Sequence, residues 1–123
     1  MAKILVAEDE RDIRELIRFT LRHHGFEVIT ASDGEEAVAI ARRERPDLVL
    51  LDVHMPKLTG YEVCRALKAD PDLRSAPVAF LSAKGQEAEI QEGLDIGAAE
   101  YILKPFAPSA LVDRVRALLG SAG

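Results

Sequence analysis

At 123 residues, with 48% apolar side chains, a net charge of −5 and an isoelectric point of about 5.2, the chain has the size of one domain. It is long enough to bury a single core, and its near-neutral mean hydropathy favours a soluble globular protein over a disordered one. No apolar run approaches the roughly 20 residues of a membrane helix. Lys and Arg are scattered without the basic face that nucleic-acid binding needs.

The stretch from Met1 to Ala7 has no basic lead, long apolar stretch and cleavage site in succession, so no secretory signal is expected. Cys64 stands alone and has no partner for an internal disulfide, which suits a reducing cytoplasm. The acidity has two readings: solubility, or carboxylates that converge on a cation.

The first predicted strand is Lys3 to Ala7. A helix follows, with Ile13, Leu16, Ile17, Thr20 and Leu21 recurring at i, i+3, i+4, i+7 and i+8. Gly25, free to take positive φ, stops it, and His23 and His24 lie near its end, where a cation is favourable. Glu27 to Ala31 is the second strand. Ser32-Asp33-Gly34-Glu35-Glu36 opens the second helix, since Ser32/Glu35 and Asp33/Glu36 both have capping-box spacing. The third strand, Leu48 to Asp52, begins with four consecutive apolar residues. The third helix puts Gly60, Val63, Cys64 and Leu67 on one face, giving Cys64 a packing role. Pro77 to Leu81 is the fourth strand. The fourth helix, near Gln86 to Ile96, has a thinner stripe of Ile90, Gly93, Leu94 and Gly97. Glu100 to Leu103 is the fifth strand. The last helix carries Leu111, Val112, Val115, Leu118 and Leu119, with Pro108 near its first turn.

Continuous apolar strands that alternate five times with helices imply a parallel sheet covered on both faces, in the α/β class. Right-handed crossovers make this a doubly wound sandwich. Such sheets bind ligands beyond the carboxyl ends of their strands. Glu8 and Asp9 follow the first strand, Asp52 ends the third, Ser82-Ala83 follows the fourth, and Lys104-Pro105 follows the fifth. Gathered carboxylates repel one another unless a cation sits among them, and Mg²⁺ suits oxygen ligands. A carboxylate is also a nucleophile towards phosphorus, and a lysine and a hydroxyl serve the charged phosphoryl oxygens. The set is chemically sufficient for phosphoryl transfer to an aspartate.

In order, Glu8-Asp9, Asp52 with Met55-Pro56 and Gly60, Ser82-Ala83, and Lys104-Pro105-Phe106 make the chain similar to the response-regulator receiver domains of two-component signalling. The resemblance runs from Lys3 to about Leu119, within one receiver domain over 1–123. It implies a flavodoxin-like five-stranded sheet of order 2-1-3-4-5 with five helices. It implies that Asp52 accepts phosphate from a sensor histidine kinase or phosphotransfer protein. Glu8, Asp9, Asp52 and the His54 backbone carbonyl would hold Mg²⁺, with Glu8 acting through water. Lys104 would pair with the phosphate or a carboxylate, while Ser82 and Tyr101 form the switch. A cis Lys104-Pro105 bond is part of the pattern. His54 and Lys84 would flank the path of the attacking water and tune the lifetime of the phosphorylated state. The resemblance further implies an α4-β5-α5 face for a homodimer or effector, with Glu100 and Arg114 as a charged pair across a dimer. It implies a domain that catalyses only its own phosphorylation and dephosphorylation, while the lone cysteine, the short apolar runs and the acidic balance lead us to expect a cytoplasmic protein without direct membrane or nucleic-acid contact.

Each residue also has a plainer role: Glu8 and Asp9 as helix caps, Ser82 as a cap, Lys104 in solvent, Tyr101 packed at the sheet edge. Two other functions use similar parts. A phosphatase of the haloacid dehalogenase type also has a nucleophilic aspartate, but after its first strand and with a second acid two residues on, where this chain has His54. A flavodoxin-like redox module needs small hydroxyl and glycine residues after the first strand, where Glu8-Asp9-Glu10 would repel a flavin phosphate.

Overall fold

Each of the five apolar runs forms a strand, and every pairing is parallel. The computed structural model describes residues 2–83 and 85–122. In chain order the elements are β1 (Lys3–Ala7), α1 (Arg11–His23), β2 (Glu27–Ala31), α2 (Gly34–Glu44), β3 (Leu48–Asp52), α3 (Gly60–Ala69), β4 (Val78–Ser82), α4 (Glu87–Ile96), β5 (Glu100–Leu103) and α5 (Pro108–Ala122). The sheet order is β2-β1-β3-β4-β5.

Side chains alternate across the sheet and feed two cores. Leu5, Ala7, Val49, Leu51, Val78 and Phe80 point to the side of α2, α3 and α4. Ile4, Val6, Leu48, Leu50, Ala79 and Leu81 point to the side of α1 and α5. β3 and β4 are buried at all five positions each, which is why they read as unbroken apolar runs.

β4 starts one residue later than the sequence predicts. Pro77 has no N–H for the ladder, although its carbonyl still accepts from Val49 N at 3.0 Å. The shift brings Ser82 into the strand, paired in register with Leu103.

The helix ends follow local chemistry. Asp33 caps α2 by accepting from Glu36 N at 2.8 Å, while Glu36 reaches back to Ser32 N at 2.9 Å. Thr59 and Glu62 form a reciprocal capping box at the start of α3. Gly25 follows α1 at φ 91°. Two stripes are narrower than the sequence pattern suggests. In α1, Ile17, Thr20 and Leu21 are buried but Leu16 is exposed, and Phe19, outside the stripe, stacks on His23 with ring centroids 6.3 Å apart. In α4 only Gly93 is buried, and Leu94 is exposed. Glu100 and Arg114 pair with each other within the chain. Among the described residues no helix is long and apolar enough to cross a membrane.

Candidate functional site at the carboxyl edge of the sheet

Because all five strands run the same way, their carboxyl ends share one edge. β1 delivers Glu8 and Asp9 to it, and β3 delivers Asp52 through a wholly buried strand. One oxygen each from Glu8, Asp9 and Asp52 lies within 4.8 Å of the others. Glu8 is 0% exposed and Asp52 4%, whereas Asp9 is open to solvent. Lys104 follows β5 and reaches over β4 and β3 to set Nζ 2.5 Å from Glu8 Oε1 and 3.5 Å from Asp52 Oδ1. Its own N–H donates to the Ser82 carbonyl at 2.8 Å, and the Lys104-Pro105 bond is cis, as the resemblance implies. Ser82 is buried at the end of β4, one position beyond the Asp52–Leu81 register pair. His54 is exposed; its N–H donates to Asp52 Oδ1 at 3.3 Å. Glu10 N donates to Glu8 Oε2 at 3.2 Å, and Arg14 holds the Glu8 carbonyl at 2.9 Å. Lys84 lies outside the described residues.

The electrostatics follow from crowding. Burial first, and then the carboxylates of Glu8 and Asp9, push the Asp52 carboxyl up to about 8, against a smaller opposing pull from Lys104. Burial pulls the Lys104 ammonium down, but Glu8 and Asp52 together outweigh it and leave it raised. The residues fit a hard divalent cation: three carboxylates converge, two of them withdrawn from water, and one ammonium does not offset their charge.

Tyr101 lies away from this cluster, on the α3–α4 side of β5. It is half-buried against Phe80, with ring centroids 6.1 Å apart, and its hydroxyl is 3.5 Å from that of Tyr61. Tyr61 Oη donates to the Glu89 carbonyl in α4 at 3.2 Å. Burial, and then Tyr101, push the Tyr61 hydroxyl up. Sequence reasoning missed Tyr61; its signal was an aromatic residue beside the apolar stripe of α3. Next to Lys104 a cleft of about 310 Å³ is lined by Glu10, Ile13, Leu16, Ala83, Pro105 and Phe106.

Residues 4–116 match the family described as response regulator receiver domain. The chain belongs to that family. A probable transcriptional regulator ycf27 of Porphyra purpurea is 49% identical to this receiver domain over 95% of the chain and 47% of that protein. The alkaline phosphatase synthesis transcriptional regulatory protein PhoP of Bacillus subtilis is 46% identical over 95% of the chain and 48% of that protein. The chain thus spans about half the length of the curated relatives it matches. Among solved structures, the chemotaxis response regulator CheY4 of Vibrio cholerae superposes on the receiver domain with a TM-score of 0.92. Sequence identity there is 36%, over 96% of this chain and 98% of that one. The receiver-domain match leaves the haloacid dehalogenase alternative without support.

Proposed function

We propose that residues 1–123 form one receiver domain, with its core at about 3–119, in which Asp52 accepts a phosphoryl group from a phosphohistidine of a sensor kinase or phosphotransfer protein. The observation that carries this reading is the meeting of Glu8, Asp9 and Asp52 within 4.8 Å, with Lys104 across them. An Asp52 oxygen attacks phosphorus in line, the P–N bond breaks, and its electron pair stays on the imidazole, which takes a proton. Glu8, Asp9, Asp52 and the His54 carbonyl would hold Mg²⁺, with Glu8 acting through water. The bound ion supplies positive charge that keeps the carboxylates ionised and offsets charge on the phosphoryl oxygens.

The chain's own residues do the rest. Lys104, held now by Glu8 and Asp52, exchanges a carboxylate for a phosphoryl oxygen. Ser82 donates its hydroxyl to another. The His54 side chain, exposed beside Asp52, and Lys84 set how readily water reaches the ester. Tyr101 reports the change to the α4-β5-α5 face, where a homodimer or effector docks, by a shift between two packings. The partly apolar cleft beside Lys104 favours docking of the phosphate donor at that edge. We place the domain in the cytoplasm, free of direct nucleic-acid or membrane contact, and limit its own catalysis to its phosphorylation and dephosphorylation.

Incubation with acetyl phosphate and Mg²⁺, followed by intact mass measurement, tests the core claim. One phosphoryl group should be added to the natural chain and none to Asp52→Ala. Equal labelling of both would overturn it. His54→Ala and Lys84→Ala should change the rate of phosphate loss, and unchanged rates would remove that role.

A further inference from the structure

The loop between β3 and α3 follows the phosphoacceptor and carries His54. It does not stand free. Its middle rests on the first turn of α2, at a residue 18 positions before Asp52 in the sequence. Gly34 opens α2 and is buried. Its N–H donates to the Pro56 carbonyl at 3.3 Å, and Leu58 N donates to the same oxygen at 2.8 Å. A Cβ on Gly34 would overlap the Leu58 carbonyl oxygen and lie 2.5 Å from Leu58 Cβ and 2.9 Å from the Leu58 carbonyl carbon. Two of these three atoms are backbone, so a side chain here is accommodated only by moving the loop or the helix.

Two further features tie the same segment down. Lys57 takes a left-handed φ of 71°, and its Nζ lies 3.7 Å from Asp33 and 3.8 Å from Glu35, on either side of Gly34 in sequence. At the end of the loop, Gly60 N donates to the Val53 carbonyl at 2.9 Å, and a Cβ on Gly60 would lie 3.0 Å from both the Asp52 carbonyl carbon and Val53 Cα. The loop is therefore held between close approaches at its middle and its end. His54 N–H, 3.3 Å from Asp52 Oδ1, links its placement to the carboxylate.

We propose that Gly34 is a positioning residue of the metal and phosphoacceptor site: having no side chain, it lets the 54–58 loop sit where the His54 carbonyl joins Glu8, Asp9 and Asp52 around the ion. This rests on the Mg²⁺ reading above. A packed interior transmits a displacement rather than absorbing it, so a methyl group on α2 is felt at His54. Residues that only orient metal ligands typically change affinity by about 10–100-fold when altered.

The test is a calorimetric Mg²⁺ titration of the natural chain and Gly34→Ala, with acetyl phosphate labelling at rising Mg²⁺. We expect Gly34→Ala to bind Mg²⁺ about tenfold or more weaker, and its labelling rate to approach that of the natural chain once Mg²⁺ saturates. A packing role alone would lower thermal stability without making the labelling defect Mg²⁺-dependent. A folded Gly34→Ala with unchanged Mg²⁺ affinity overturns the proposal, as does a rate deficit that saturating Mg²⁺ leaves in place. If Gly34→Ala does not fold, Leu58→Gly loosens the same contact by deleting the Leu58 Cβ, the one side-chain atom of the three. It should weaken Mg²⁺ binding in the same direction, and unchanged affinity there also overturns the idea. Absence of Mg²⁺ binding by the natural chain overturns the metal reading itself, and this proposal with it.

Discussion

The core beneath α1 and α5 and the carboxyl edge of the sheet are built from the same strands with opposite energetics. Ile4 and Val6 of β1 enter an aliphatic layer with Ile17, Leu21, Leu50, Leu111 and Val115. Two residues after Val6, the chain buries Glu8 completely. Apolar burial stabilises by roughly 25 cal/mol per Å² removed from water. A carboxylate withdrawn from water beside other carboxylates does the reverse. Stability is concentrated where helices cover the two faces of the sheet, and the candidate site sits at the edge where stability is given up.

The largest effect that sharpens the contrast is a pH dependence of the metal-free domain. The Asp52 carboxyl is pushed up to about 8, against 3.8 for the ordinary group. Between these values the unfolded chain binds fewer protons than the folded one, so stability falls as pH rises from about 4 to about 8. The slope from this one group is at most about 1.4 kcal/mol per pH unit. Urea midpoints measured across that range should decline, and Asp52→Asn or saturating Mg²⁺ should flatten the decline. A profile indifferent to Asp52→Asn would break the comparison from the site's side.

From the core's side, Ile17→Ala should cost about 2–5 kcal/mol in urea unfolding, while acetyl phosphate labelling per folded molecule stays unchanged. Loss of labelling in proportion to stability would mean that the two regions are not separable. Tyr61→Phe is a smaller, intermediate case. It removes the hydroxyl that bonds the Glu89 carbonyl, a loss of about 0.5–1.5 kcal/mol, and should raise hydrogen exchange in the first turn of α4 more than in α5. The smallest effect belongs to Arg114→Ala. Its pair with Glu100 is half in solvent, so thermal unfolding should register about 0–1 kcal/mol.

The same contrast explains what was legible in the sequence. Strands such as Leu48 to Asp52 are continuous apolar runs because both faces are covered, and their order along the chain puts Glu8, Asp9, Asp52 and Lys104 at one edge. The stripe of α3 was legible too, since Gly60, Val63, Cys64 and Leu67 are all buried. The stripes of α1 and α4 over-read, because periodicity shows which residues share a face and not how far the sheet extends beneath it. Leu16 and Leu94 fall beyond that cover. The capping box of Thr59 and Glu62 had the right spacing and was overlooked. The contact of Gly34 with Leu58, and of Tyr61 with Tyr101, had no local signature, since each joins elements that only tertiary packing brings together.

β5 is the margin of the sheet, bonded along its length to β4 alone. The Lys104 side chain adds a tether from that margin to Glu8 of β1, across two intervening strands. A bridge of this kind makes the outermost ribbon answerable to the ionic state of the middle. Any gain or loss of charge between Glu8 and Asp52 changes the tension on it, so an event at the centre is felt laterally at the rim without a helix having to carry it.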